Sequence, residues 1–164
     1  MSQSDWIELV LAVLCAVGAS LLVAVEAALS GMTKSRAERM VAAGERGAER
    51  IKLIAEDPAP SINAVLFARL LLETSSIVLV TVLLFQHFGH DWVRALVAIA
   101  IMCVVSFILW GVAPRTIGRQ RPNETLRALG GVVSAVTTVF GPIAQLMILL
   151  GNALTPGKGF ADGP

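Results

Sequence analysis

Three runs of apolar residues, at about 6–31, 61–88 and 92–113, constrain this chain more than any other feature. Each is long enough to cross a hydrocarbon core, which takes about 20 helical residues. Within lipid every backbone N–H and C=O must be paired inside the segment, so apolar runs of this length fold as helices. Composition agrees: 55% of the 164 residues are hydrophobic and 15% are charged, with a mean hydropathy of +0.75. A soluble domain of this size could not bury so much apolar surface. The expected class is an all-α membrane protein with three transmembrane helices and a cytoplasmic juxtamembrane helical segment, its partner being a lipid bilayer.

The first run repeats small residues every fourth position, at Ala12, Ala16, Ser20, Ala24 and Ala28. Such a ridge lets a second helix backbone approach closely in lipid. Its N-terminus lacks the basic flank and cleavage site of a signal peptide, so the first span is expected to stay in the mature protein. Residues 33–57 interleave Lys34, Arg36, Arg39, Arg46, Arg50 and Lys52 with Glu38, Glu45, Glu49 and Glu56, the pattern of a soluble, salt-bridged connector helix. Asp57-Pro58-Ala59-Pro60 ends it, because proline removes a donor and biases its predecessor away from helical geometry.

Gly89-His90-Asp91 is a turn so short that the second and third spans form an antiparallel hairpin. Basic residues gather in the connector and at Arg115, Arg119 and Arg121, whereas the turn region carries only Arg94. By the positive-inside tendency the connector faces the cytoplasm and the N-terminus lies outside. Residues 123–154 are apolar again, but Gly130-Gly131 and Gly141-Pro142 interrupt them. Hydropathy allows a fourth span there, and a broken amphipathic segment at the cytoplasmic interface fits equally well. The stretch 156–164 has a linker composition.

Several function classes fall away. Net charge is +1 with basic residues only in short clusters, so no face offers a nucleic-acid footprint. Cys15 and Cys103 sit alone in apolar runs, the setting of packing residues and not of a disulfide or zinc site. His87 and His90 flank the outer turn, where solvation is the ordinary reading. No nucleophile–base arrangement or phosphate loop suggests an enzyme.

Ionisable residues inside the spans carry more information, because a charge in the hydrocarbon region is costly and marks an ion path or a paired site. Glu73 lies about a dozen residues into the second run, near mid-membrane at about 1.5 Å per residue. Glu73-Thr74-Ser75-Ser76 sets hydroxyls beside a carboxylate, an all-oxygen set that suits a hard cation such as magnesium or calcium. The competing reading is that Arg69, four residues earlier, pairs with Glu73 while the hydroxyls bond back to the helix. Glu26 lies nearer the cytoplasmic end of the first run and either closes the same cavity or snorkels to the interface. Gly111-Val112-Ala113-Pro114 would loosen the third helix and free backbone carbonyls.

Taken in order, these residues resemble the transmembrane domain of the CorC and cyclin-M magnesium transporters, known in bacteria also as hemolysin-like proteins. Val25-Glu26-Ala27-Ala28-Leu29-Ser30 is similar to the family's Glu-Thr-Ala-Leu signature, a basic connector with an Asp57-Pro58 stop follows, and Pro114-Arg115-Thr116 is similar to a Pro-Lys-Thr that ends the third span. The resemblance covers nearly the whole chain. It implies a homodimer in the inner membrane, magnesium as the transported ion, sodium as a counter-ion, and ATP binding only through CBS modules that would follow the linker. The chain departs from the family at Gly111, where a glutamate is common, at Glu73 and its neighbours, where asparagines are common, and at Ala27, which replaces the signature threonine.

The expected metal-binding set is Glu73, Ser75, Ser76, Glu26 and Gly111, with Glu73 supplying the charge that the third span lacks. The alternative is a dimerising anchor or sensor that positions CBS modules without transport. A pore-forming toxin fits poorly with a polytopic, positive-inside layout.

Overall fold

A computed structural model describes residues 3–88 and 91–154. Gly89 and His90 of the outer turn and the 156–164 linker lie outside the described residues. All regular structure among the described residues is helical: α1 (Gln3–Ser30), α2 (Lys34–Ala42), α3 (Ala48–Glu56), α4 (Pro58–Phe88), α5 (Trp92–Ser106), a π-helical stretch (Phe107–Val112), α6 (Ala113–Gln120) and α7 (Pro122–Leu154). Four helical stretches are long and apolar enough to cross a membrane: α1, α4, the run Trp92–Gln120, and Pro122–Leu150 within α7. The all-helical expectation therefore stands, and the candidate spans number four where the sequence reading counted three and left the last apolar segment open.

α1 and α4 form the antiparallel centre. The Ser76 hydroxyl on α4 donates to the Ala12 carbonyl on α1 at 3.0 Å, and His87 Nε2 lies 3.3 Å from Asp5 Oδ2 at the other end of the pair. His87 thus has a specific partner on α1, where the sequence suggested plain solvation. Ala12, Ala24 and Ala28 of the small-residue ridge are buried. Gly18 faces Leu72, whose Cδ1 would lie 3.0 Å from any added Cβ.

The connector is two helices and not one. Gly44 (φ 67°) and Gly47 (φ 80°) take left-handed backbone, a conformation that costs other L-residues about 1–2 kcal/mol, and the chain reverses there. Thr33 caps α2 by accepting from the Arg36 N–H. Among the described residues no ion pair joins the connector's charges to one another. Its apolar face holds it instead: Ala37, Met40, Ala48, Ile51 and Ala55 join a core with Leu22, Val25, Ala28 and Leu29 of α1, Val65 and Ala68 of α4, and Leu126 and Val133 of α7. Exposed ion pairs contribute little, so the buried stripe decides the geometry.

The third apolar run is divided by its proline. Pro114 has no N–H to give, and the Ala113 N–H reaches back five residues to the Ile108 carbonyl. In that register the Leu109 carbonyl would need residue 114 as its donor. The Ser20 hydroxyl of α1 fills the vacancy at 3.0 Å, and Trp110 Nε1 donates to the Ala16 carbonyl at 3.0 Å. The loosened segment is therefore stitched to α1. Gly118 brings α6 against the same helix, since an added Cβ would overlap the Ala24 carbonyl oxygen.

α7 runs through Gly130-Gly131 and Gly141-Pro142 as one helix, the unbroken one of the two arrangements that the sequence left open. Leu126, Leu129, Val133, Val136 and Phe140 form a single stripe on the core, and Phe140 tilts against Phe67 with ring centroids 5.8 Å apart. Packing along that stripe outweighs the glycines, each of which costs roughly 1 kcal/mol in a helix interior.

Candidate functional site at the Glu26–Arg69–Glu73 cluster

Arg69, Glu73 and Ser76 occupy positions i, i+4 and i+7 of α4, one helical face, and that face meets α1. The Arg69 Nη1 donates to Glu26 Oε2 at 2.5 Å, and its Nε donates to Glu73 Oε2 at 3.4 Å. One guanidinium thus holds two carboxylates from two helices, with side chains only 16–24% exposed. The three charges sum to −1. Glu73 sits beside Leu72, the residue opposite Gly18, so it lies at the level of the middle of α1.

A cavity of about 720 Å³ opens beside the cluster between α4, α5, the π-helical stretch and α6. Arg69, Glu73, Gly111 and Arg115 lie on its wall, and Ile77, Phe85, Ile99, Met102 and Trp110 make much of the remainder. Apolar walls lower the effective dielectric and strengthen the field of the carboxylates. Gly111 sits inside the π-helical stretch, where the backbone deviates from the regular α-helical ladder.

The five residues named from the sequence are treated unequally by the fold. Glu26 and Glu73 converge on Arg69, and Gly111 borders the same cavity as Glu73. The Ser76 hydroxyl is buried and donated to Ala12. The Ser75 hydroxyl is donated to the Leu71 carbonyl of its own helix at 2.7 Å, about 200° around α4 from Glu73 at ~100° per residue. Neither serine lines the cavity. No group of three or more His, Cys, Asp or Glu side chains gathers among the described residues, so a cation here would complete its shell from water, hydroxyls or backbone carbonyls.

Sequence reasoning paired Arg69 only with Glu73. The 43-residue separation to Glu26 hides the second partner. The small-residue ridge of α1 gave no pointer to it, since Ala16, Ser20 and Ala24 meet the third apolar run and not α4.

The chain is 35% identical over 144 residues to UPF0053 protein Rv2366c of Mycobacterium tuberculosis, an alignment covering 88% of this chain and 33% of that protein. It matches UPF0053 protein Mb2387c of Mycobacterium bovis to the same extent. The chain therefore spans about a third of the length of these relatives. Residues 10–163 match the cyclin M transmembrane N-terminal domain, and the chain belongs to that family.

Proposed function

We propose that this chain is the membrane domain of a divalent-cation transporter that moves magnesium out across the inner membrane in exchange for sodium. The observation that carries this reading is the pair of carboxylates, Glu26 and Glu73, held beside a cavity between the apolar helices. A small hard cation gives up water reluctantly and binds where carboxylate and other oxygens replace it. Glu73 supplies charge from α4 and Glu26 from α1; Gly111 offers backbone oxygen from the loosened third helix, and Ser75 and Ser76 supply hydroxyl lone pairs if α4 rotates or slides. Movement of α5, which buries only Ala98, would alternate access to the site.

The working unit is a homodimer with three spans per copy and the N-terminus outside. α7 is the juxtamembrane segment: its stripe over residues 126–140 shares a core with residues 22–29 of α1, residues 62–72 of α4 and the connector. On this reading α7 lies across the cytoplasmic end of the bundle. CBS modules beyond the linker would bind ATP. The domain is a transporter and not an enzyme.

A second reading has one observation in its favour. Arg69 already pairs with both carboxylates, as a purely structural anchor would arrange. Magnesium flux separates the two. Vesicles holding the full-length protein and a magnesium-sensitive dye should show sodium-dependent flux that Glu73→Gln abolishes; flux that survives Glu73→Gln would remove Glu73 from the site.

A further inference from the structure

We infer that Arg69 is the site's resident counter-cation: it holds Glu26 and Glu73 together when the site is empty and leaves them when the transported dication arrives. This inference rests on the transport reading and adds what that reading leaves open, namely how two carboxylates persist in lipid between transport events. Arg69 Nη1 lies 2.5 Å from Glu26 Oε2 and Arg69 Nε lies 3.4 Å from Glu73 Oε2, so one positive group already serves both carboxylates. Two anions this close repel strongly in a low-dielectric setting, and the guanidinium removes that repulsion without any bound metal. It also ties α1 to α4, so the exchange of arginine for ion changes a contact between helices and not only a local charge.

Charge arithmetic makes the exchange selective. With Arg69 in place the cluster carries −1. A dication that displaces it meets −2 and leaves the pair neutral, whereas a monovalent ion merely replaces one positive charge by another and forfeits two charge-assisted hydrogen bonds. Arg69 thus sets one threshold for every ion, and the dication's stronger attraction to two carboxylates is what clears it. Its side chain has somewhere to go, since it already borders the 720 Å³ cavity.

The test uses the full-length protein in detergent with magnesium chloride as the probe. Calorimetry should show that Arg69→Gln binds magnesium at least about tenfold more tightly than the natural protein, because the competitor is gone while both carboxylates stay. Arg69→Lys should restore the weaker binding. Thermal unfolding gives a second readout: Arg69→Gln should lose stability without magnesium and recover it on addition. Equal or weaker binding in a folded Arg69→Gln protein would overturn the inference and leave the transport reading intact. No binding in either protein would sink the transport reading itself. If Arg69→Gln fails to fold, the natural protein still decides the matter. An arginine-directed glyoxal reagent, read by mass spectrometry at Arg69, should react faster when saturating magnesium is present, and an unchanged or slower rate would overturn the inference.

Discussion

Gly118 shows how one absent methyl group sets a helix distance. α6 lies so close to α1 that a Cβ at Gly118 would overlap the Ala24 carbonyl oxygen, a backbone atom that cannot turn aside. Gly118→Ala should therefore destabilise the domain by about 1–3 kcal/mol, read as a lowered unfolding temperature in detergent. Gly18→Ala should cost less, because the atom it meets is the mobile end of Leu72. Gly44 and Gly47 matter through backbone conformation instead. Both have positive φ and open space around them, so alanine at either should cost about 1–2 kcal/mol through strain alone. These positions were visible in the sequence as glycines, but which glycine faces a backbone and which faces solvent depends on helix pairing that no local pattern encodes.

Among elements, the π-helical stretch links proline chemistry to packing. The loosening expected from Gly111 to Pro114 was legible because proline's missing donor is a local fact. That Ser20, 89 residues away, would supply the donor was not. Ser20→Ala should leave the Leu109 carbonyl unpaired and cost about 1–3 kcal/mol. Adding Pro114→Ala returns a backbone N–H at the right position, so the double variant should be less destabilised than the two single effects summed. Additive losses, measured by chemical unfolding, would contradict this account of the segment. The connector taught a different lesson. Its alternating charges invited a single salt-bridged helix, yet its buried stripe of Ala37, Met40, Ile51 and Ala55 fixes two helices against the bundle end. The same apolar positions were present in the sequence and were outweighed there by the more conspicuous charges.

For the whole molecule, apolar length identified the class, and the ordered motifs identified the family, since both are carried by residue type and order. Hydropathy could not decide the depth of α7, because a helix lying on the bundle end and one spanning lipid can share the same composition. If α7 lies across the cytoplasmic end, a reporter fused after residue 154 should sit on the same side of the membrane as one inserted in the connector at residue 45; opposite sides would establish a fourth span. The candidate site was half legible. Glu26, Glu73 and Gly111 stood out as a buried charge or a helix interruption, whereas the bridging role of Arg69 emerges only when α1 and α4 are packed. The most direct test of the central claim is a magnesium titration of the folded protein by calorimetry, with Glu73→Gln alongside. The account predicts saturable binding to the natural protein that disappears in Glu73→Gln. A folded natural protein that binds no magnesium, or a Glu73→Gln variant that binds it as well, would contradict it.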